Sequence, residues 1–279
     1  MGRRVTVGDL ALHVQEAGEG PTLLLLHGFS GSAETWQPLL PHLRGFRTLA
    51  VDLPGHGQSD IPPDPQAYSV ERCAADLLAL LDALGVGRTA VLGYSLGGRV
   101  ALHLALALGE RLWALVVESA SPGIEDPRER EARARRDDEL ADLLLQEGLE
   151  RFVDLWEAQP LFASLRWLPE ATRQRLRCQR LSHSPAGLAA VLRGMSVGRQ
   201  RPLWGSLAEV AAPALVVVGA LDSRYAAIGR RMALALPHGE LAVVPGAGHT
   251  VHLEQPLIFA RIVAEFLERH RPDRREVRA

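Results

Sequence analysis

The stretch Gly93-Tyr94-Ser95-Leu96-Gly97-Gly98 decides the fold of this 279-residue chain. It follows a continuous apolar run over residues 89–92 and precedes a helical pattern over residues 97–108. A serine flanked by small residues between a strand and a helix is the G-x-S-x-G arrangement, in which a sharp turn exposes the hydroxyl above the sheet. We therefore predict a nucleophile elbow with Ser95 at its tip.

The same alternation of strand and helix extends over most of the chain. Residues 3–18 indicate two short strands that turn at Gly8-Asp9, and further strand-like apolar runs cover 22–26, 47–51, 89–92, 112–117, 214–218 and 241–244. Helical patterns cover 70–84, 97–108, 225–236 and 256–270. Continuous apolar strands that alternate with helices are typical of a parallel sheet with helices on both faces. We predict an α/β fold with a mostly parallel sheet of about eight strands.

One segment interrupts the alternation. Between Ser121 and Arg180, 24 of 60 residues are charged, against 23% of the whole chain, and no strand-like run occurs. Apolar residues such as Leu144, Phe152 and Trp156 recur there at helical spacing, which indicates helices with one solvated face. We predict a helical lid over residues 121–203, inserted in a core made of residues 1–120 and 204–279.

Composition excludes several functions. All 31 basic residues are Arg, so Schiff-base chemistry, pyridoxal phosphate attachment and the P-loop lysine are excluded. The formal net charge of -2, without a basic run outside the last few residues, argues against a nucleic-acid partner.

No uncharged stretch is long enough to cross a bilayer, and we expect a cytoplasmic protein. Scattered histidines and the lack of dinucleotide-type glycine spacing imply no metal and no cofactor. The oligomeric state cannot be predicted from the sequence.

Ser95 needs an imidazole to accept its proton and a carboxylate to orient that imidazole. In a fold of this type the chain order is serine, acid, histidine. Asp222 follows the predicted strand at 214–218, and His249 follows the one at 241–244. Carboxyl ends of parallel strands are where open α/β sheets bind ligands, so we predict a Ser95, His249 and Asp222 triad.

Other polar residues in turns have simpler interpretations. His27 and His56 lie in glycine-containing turns, and His252 follows His249 by three positions. We interpret these histidines as hydrogen-bonded loop residues, and Asp52 as a residue that orders its own turn.

An oxyanion hole requires two backbone amides. One belongs to the residue after the nucleophile, which is Leu96, and the other comes from the loop after the third strand. Phe29, within His27-Gly28-Phe29-Ser30-Gly31, is the candidate for the second amide. The adjacent glycines permit the backbone geometry that this role requires.

Arg99 lies four residues after Ser95, on nearly the same face of a helix that is otherwise apolar. A plain esterase gains little from a guanidinium beside its nucleophile. One interpretation is a solvated side chain; the other is a fixed cation that grips a substrate carboxylate through two hydrogen bonds.

Four motifs together resemble the α/β-hydrolase superfamily: Leu26-His27-Gly28-Phe29-Ser30-Gly31, Val51-Asp52-Leu53-Pro54-Gly55-His56-Gly57, Gly93-Tyr94-Ser95-Leu96-Gly97-Gly98-Arg99 and Ala247-Gly248-His249. The elbow Tyr94, Arg99 and three further segments are similar to the 2-succinyl-6-hydroxy-2,4-cyclohexadiene-1-carboxylate synthases of menaquinone biosynthesis. Those segments are Glu118-Ser119-Ala120-Ser121-Pro122-Gly123, Gln159-Pro160-Leu161-Phe162-Ala163-Ser164-Leu165 and Pro185-Ala186-Gly187-Leu188-Ala189.

This resemblance implies a lyase that eliminates pyruvate from a small polycarboxylate, with the serine of the triad abstracting a proton. It also implies anion-binding roles for Arg133 and Arg180 and a pocket lined by Tyr94 and Trp156. Arg177 is an alternative to Arg180, since the segment from Leu165 to Arg180 is longer than in the family. Arg133 could instead be a solvated helix charge, and Trp156 could belong to the core of the lid.

Three functions remain open. The first is this pyruvate-eliminating lyase. The second is a carboxylic ester hydrolase that forms an acyl-serine on the same triad. The third is a silent binding protein, which would have no need of all three triad members. A haloalkane dehalogenase is disfavoured because its nucleophile would be Asp at the position of Ser95.

Overall fold

The computed structural model describes residues 2–272 and contains one eight-stranded sheet in that range. Its strands are β1 (Gly2–Val7), β2 (Leu10–Ala17), β3 (Thr22–Leu26), β4 (Arg47–Val51), β5 (Thr89–Tyr94), β6 (Leu112–Glu118), β7 (Ala214–Gly219) and β8 (Gly239–Val244). They lie in the order β1-β2-β4-β3-β5-β6-β7-β8. β1 pairs antiparallel with β2, β2 pairs antiparallel with β4, and all other neighbours are parallel. The predicted mostly parallel sheet is confirmed.

Nine α-helices are described within the same residues. They are α1 (Val70–Ala83), α2 (Leu96–Leu108), α3 (Pro127–Glu147), α4 (Leu149–Glu157), α5 (Glu170–Leu181), α6 (Pro185–Gly194), α7 (Ser223–Ala235), α8 (Val251–Glu254) and α9 (Pro256–Arg269). The predicted helices are present, with ends shifted by one or two residues. For example, α7 begins at Ser223 because the Asp222 carboxylate accepts a hydrogen bond from the Tyr225 amide and caps the first turn.

The helices cover both faces of the sheet, as predicted. On one face, Leu24 of β3 belongs to a core with α1, α2 and α7. On the other face, its neighbour Leu25 packs in a second core with Trp36 and with Phe259 of α9. Successive side chains of a strand point to opposite faces, so an apolar strand is buried on both sides. This arrangement explains why β3, β5, β6 and β7 are apolar without interruption.

Helices α3 to α6 lie between β6 and β7 in the chain, and we call residues 127–194 the helical insertion. The insertion has a small core of its own, which includes Leu144, Phe152 and Leu188. Phe29 from the loop after β3 packs against that core, so the insertion lies against the carboxyl ends of the strands. Its boundaries at 121 and 203, and its role as a lid, stay predictions. Within residues 2–272, no helix combines the length and apolar character needed to cross a bilayer.

Candidate active site

Ser95 occupies the turn between β5 and α2 in a backbone conformation that L-residues rarely adopt, with φ 50° and ψ −105°. The turn depends on small neighbours. A Cβ on Gly93 would lie 2.3 Å from the carbonyl oxygen of Gly97, and a Cβ on Gly97 would lie 2.2 Å from that of Leu26. The Ser95 amide donates a 2.9 Å hydrogen bond to the carbonyl of Glu118 at the end of β6. These contacts explain the glycines of the motif.

The structure brings Ser95, His249 and Asp222 together. Nδ1 of His249 lies 2.8 Å from Oδ2 of Asp222, and Nε2 lies 3.1 Å from Oγ of Ser95. A carboxylate only accepts hydrogen bonds, so Nδ1 carries the proton and Nε2 presents its lone pair to the hydroxyl. His249 is 1% exposed and Asp222 is 8% exposed. This is the geometry of a serine activated by a histidine that is itself oriented by a carboxylate.

The Ser95 hydroxyl opens onto a cavity of about 680 Å³, which we call the Ser95 cavity. The cavity lies between the sheet edge and the helical insertion. Its ionisable lining includes four guanidinium groups and two carboxylates, from Arg99, Arg133, Arg136, Arg224, Glu129 and Asp137. Trp156 also lines it, and its ring lies 4.9 Å from the ring of Phe29. The excess of cations predicts an anionic ligand.

Arg99, predicted beside the nucleophile, lines the Ser95 cavity. Its Nη1 donates a 2.7 Å hydrogen bond to Oε1 of Gln200. Burial lowers the pKa of Arg99 from 12.5 to about 10, and the nearby charge of Arg133 acts in the same direction. The guanidinium therefore remains charged at neutral pH while poorly solvated, and a carboxylate in the cavity would relieve that cost.

Arg133 also lines the cavity, and hydrogen bonds to Asp137 hold its guanidinium in place. Its Nε donates to both oxygens of Asp137, at 2.9 and 3.0 Å. Asp137 is 3% exposed and also accepts a 2.6 Å hydrogen bond from the Ser196 hydroxyl. Because Asp137 engages only Nε, the terminal nitrogens of Arg133 are free of that ion pair.

The two candidate oxyanion amides both belong to residues that line the Ser95 cavity. Leu96 is the first residue of α2, so its amide precedes the intrahelical hydrogen bonds. Phe29 lies in the loop after β3, where Ser30 has a positive φ of 59°. We refer to residues 27–31 as the Phe29 loop.

Tyr94 and Arg180 do not line the Ser95 cavity. They line a neighbouring cavity of about 330 Å³, which shares Phe29 and Phe162 with the first. The Tyr94 hydroxyl is 2.9 Å from the Thr250 hydroxyl. Nη1 of Arg180 donates to Glu157 at 2.8 Å, and its guanidinium lies over the Phe162 ring. Arg180 therefore contacts the lining of the Ser95 cavity through the Phe162 ring without lining that cavity itself.

The alternative anchor Arg177 lies farther out. It forms ion pairs with Asp154 at 2.7 Å and with Glu157 at 3.1 Å, and its pKa is raised chiefly by the hydrogen bond to Asp154. Arg177 lines a third cavity, which does not include Ser95. Of the two arginines, Arg180 is the nearer to the site because it contacts a side chain that lines the Ser95 cavity.

Of the histidines interpreted as loop residues, His27 and His56 bind backbone groups in loops, whereas His252 lies in α8 and binds a buried carboxylate. The His252 Nδ1 and amide both donate to Glu118, at 2.8 and 3.0 Å. Asp52 accepts hydrogen bonds from the amides of Ala33 and Gln58 and lies 2.8 Å from Nδ1 of His13. These contacts position the turns around the site.

Several residues of the site escaped the sequence analysis. Arg136, Arg224, Tyr225, Asp137 and Gln200 either line the Ser95 cavity or hold a residue that does. Arg224 and Tyr225 follow Asp222 closely in the chain, which is a signal that could have been used. Gln200 is not close in the chain to any residue of the predicted site, and only the fold brings it into contact with Arg99.

Residues 2–272 contain no group of three or more His, Cys, Asp and Glu side chains placed to hold a metal ion. The two cysteines are free. Cys73 is buried, which raises the pKa of its thiol, whereas Cys178 is exposed.

Comparison with known proteins agrees with this architecture. A family model described as the alpha/beta hydrolase fold matches residues 21–256. A relative from Bacillus subtilis (strain 168), provisionally named a 2-succinyl-6-hydroxy-2,4-cyclohexadiene-1-carboxylate synthase, is 41% identical over 267 residues, covering 94% of this chain and 97% of its own. The synthase of that name from Enterobacter sp. (strain 638) is 34% identical, covering 88% of this chain and 92% of its own. The chain is an α/β-hydrolase of this synthase family.

A solved structure leads to the same family. The structure of MenH from S. aureus superposes with a TM-score of 0.89 at 32% identity, and covers 94% of this chain and 99% of that one. The match extends through both the sheet and the helical insertion.

Proposed function

We propose that this α/β-hydrolase is a carbon–oxygen lyase of menaquinone biosynthesis. It converts 2-succinyl-5-enolpyruvyl-6-hydroxy-3-cyclohexene-1-carboxylate into 2-succinyl-6-hydroxy-2,4-cyclohexadiene-1-carboxylate and pyruvate. One observation carries the proposal: the hydrogen-bonded chain of Ser95, His249 and Asp222 opens onto a cavity of about 680 Å³ in which four arginines face two carboxylates.

The charge of the cavity suits this substrate. The substrate carries three carboxylates, on the ring, on the succinyl chain and on the enolpyruvyl group. Arg99 and Arg133 are held by Gln200 and Asp137 in positions that leave other donors of each guanidinium for a ligand. Arginine can bind a carboxylate through two parallel hydrogen bonds, which fixes orientation as well as position. An uncharged ester would use none of these cations.

The positions of the double bonds in the substrate and in the product define how the electrons move in the proposed reaction. The proton at ring carbon 2 is acidic because this carbon is next to the succinyl ketone. Its removal forms the C2–C3 double bond, shifts the C3–C4 double bond to C4–C5, and breaks the C5–O bond to release enolpyruvate. The products contain all the atoms of the substrate, so neither water nor a redox cofactor is consumed.

Ser95 and His249 supply the proton transfers. His249 accepts the hydroxyl proton through Nε2, and the Ser95 oxygen then takes the proton from carbon 2. Asp222 keeps Nδ1 protonated and stabilises the imidazolium that forms. The imidazolium returns a proton to the departing enolpyruvate, which gives pyruvate and restores the starting state.

The amides of Phe29 and Leu96 would stabilise the negative charge that develops on the succinyl ketone oxygen. The lid would comprise residues 121–203, which include the helical insertion, because the insertion contributes Arg133 and Trp156 to the lining of the Ser95 cavity. Exclusion of water there would strengthen each electrostatic contact.

We further propose a cytoplasmic site for the reaction, in keeping with two free cysteines.

The test compares two reactions of one enzyme preparation. Pyruvate release from the enolpyruvyl substrate is followed with lactate dehydrogenase, and p-nitrophenyl acetate hydrolysis is followed in parallel. We expect stoichiometric pyruvate and the conjugated diene, with only slow ester cleavage. A burst of p-nitrophenol without pyruvate would instead establish an ester hydrolase, and inactivity in both assays would favour a binding protein.

A further inference from the structure

Three buried histidines lie in the Phe29 loop or against it: His27 belongs to the loop, and His56 and His183 contact it. Each one has both ring nitrogens engaged with backbone groups. Nδ1 of His27 donates to the carbonyl of Gly28 at 2.7 Å, and its Nε2 accepts from the Leu53 amide at 3.0 Å. Nε2 of His56 accepts from the Ser30 amide at 3.2 Å, and its Nδ1 donates to the carbonyl of Pro54 at 3.2 Å.

The third histidine is His183, which lies between α5 and α6 in the helical insertion. Its Nε2 donates to the carbonyl of Ser30 at 3.0 Å, and its Nδ1 accepts from the Gly57 amide at 3.3 Å. Its ring lies 5.4 Å from the ring of His56. The peptide groups on both sides of Ser30 are therefore held by imidazoles, one from the core and one from the insertion.

Ser30 needs such support, since its positive φ of 59° is disfavoured for a residue with a Cβ. The residue before it is Phe29, and only the backbones of Phe29 and Ser30 separate the Phe29 amide from the carbonyl that accepts the hydrogen bond of His183. A rotation of the peptide groups around Ser30 would move the backbone that carries the Phe29 amide. Contacts to the Ser30 carbonyl and amide together oppose that rotation.

We propose that His183 is a positioning residue that couples the helical insertion to the Phe29 loop and so fixes the Phe29 amide for the reaction. The inference rests on the proposed function in one respect, namely that this amide stabilises negative charge at the reacting centre. His183 itself does not line the Ser95 cavity, so it acts through the loop.

The chemistry of the contacts requires neutral His183 in a single tautomer. Because Nε2 donates and Nδ1 accepts, the proton resides on Nε2. His183 is 6% exposed, and burial lowers its pKa from the ordinary value, opposed by the Ser30 hydrogen bond and the charge of Asp52. A lowered pKa favours the neutral ring at neutral pH.

The test uses His183→Ala, His183→Gln and a matched control, His103→Ala. His103 is similarly buried on α2, and among residues 2–272 it has no hydrogen bond or ring contact with the Phe29 loop. Loss of an entire oxyanion donor costs about 10²–10³-fold, so we expect misplacement in His183→Ala to lower kcat for pyruvate release by about 10-fold or more. KM should change by less than about 2-fold, because no substrate contact is lost.

The glutamine variant separates positioning from folding. The side-chain amide introduced by His183→Gln would be able to donate to the Ser30 carbonyl, so this variant should recover most of the lost kcat. Unchanged kcat in His183→Ala, or a loss in His183→Gln as large as in His183→Ala at equal thermal stability, overturns the proposal.

Two readouts remain decisive if the proposed lyase activity fails. The rate at which a fluorophosphonate labels Ser95 also depends on the oxyanion amides, and it should fall in His183→Ala but not in His103→Ala. Long-range ¹H–¹⁵N spectra of the wild-type imidazoles, assigned by the signal lost in His183→Gln, should show the Nε2–H tautomer. The Nδ1–H tautomer would contradict the inference whatever the substrate proves to be.

Discussion

Arg99 and Gln200 are joined by a 2.7 Å hydrogen bond between Nη1 and Oε1, although 101 residues separate them in the chain. Gln200 is 3% exposed and fixes one edge of the guanidinium beside Ser95. Arg99 lines the Ser95 cavity, and among residues 2–272 its guanidinium forms no ion pair with a carboxylate. In the proposed lyase reaction, this guanidinium is the group that would bind a substrate carboxylate close to Ser95.

Replacement of Arg99 should therefore impair the lyase reaction while leaving the nucleophile intact. A hydrogen bond to a charged group contributes about 1.5–3 kcal/mol, so Arg99→Ala should lower kcat/KM for pyruvate release by about 10- to 150-fold. Fluorophosphonate labelling of Ser95 should proceed at the wild-type rate. Arg261→Ala, an exposed arginine on α9, is the control. Normal turnover in Arg99→Ala would show that this cation does not bind the substrate.

Asp137 should act on substrate binding through Arg133. In Asp137→Asn, the two contacts to Nε lose their charge, and the guanidinium is no longer held in one place. We expect KM to rise more than kcat falls, together with a loss of about 1–3 kcal/mol in the free energy of unfolding, because the buried Asp137 loses the charge that pairs with the partly exposed Arg133. Steady-state kinetics and guanidinium unfolding measure the two effects. A change in stability alone would assign Asp137 a purely structural role.

Arg136 and Arg224 lie at exposed positions of the cavity lining, and neither forms an ion pair within residues 2–272. Exposed charge pairs contribute about 0.2–1 kcal/mol each, so the double variant Arg136→Gln/Arg224→Gln should raise KM by about 2- to 30-fold with kcat nearly unchanged. The salt dependence of KM should also become shallower, because fewer charges attract the anion. An Arg261→Gln enzyme should match the wild type. Equal KM values at all salt concentrations would contradict this role.

The buried histidines make stability depend on pH. Burial lowers the pKa of His27 from 6.5 to about 4, and it lowers those of His56 and His183 as well. The unfolded chain therefore binds more protons than the folded one below about pH 6.5, so stability is full above that pH and declines toward pH 4. For His27, whose pKa is about 4 in the folded protein, the slope is about 1.4 kcal/mol per pH unit in this window, and His56 and His183 act in the same direction.

Guanidinium unfolding between about pH 7.5 and pH 5 measures this slope. In His183→Gln the slope should be smaller than in the wild type, because one proton-linked group is absent. His238→Gln, at an exposed position, serves as the control. A free energy of unfolding that is flat across this range would show that these imidazoles take up protons in the folded protein.

The sequence was sufficient for the fold because its signals are local. The apolar strands, the glycines around Ser95 and the residues that end each helix act within a few positions of one another, so the alternation of strand and helix could be predicted. Asp222 and His249 were also found from local context, since each closely follows a strand. The shape of the sheet then brings these strand ends to one edge.

The contacts that support the site could not be predicted from the sequence, because they join residues that are far apart in the chain. His183 meets Ser30 across 153 residues, and Gln200 meets Arg99 across 101. Such pairs depend on how the helical insertion packs against the core, which leaves no periodic pattern in the chain. The same limit applies to Arg180, whose predicted place beside the substrate depends on Phe162 and Glu157.

The most direct test of the account is the rate of pyruvate release by Ser95→Ala, measured against the wild type with the authentic enolpyruvyl substrate. If the Ser95 oxygen takes the proton from the ring, kcat should fall by at least about 10³-fold, while the dissociation constant of the substrate stays close to the wild-type value. Pyruvate release within about 10-fold of the wild-type rate would mean that another group removes the proton, and the proposed chemistry would be wrong.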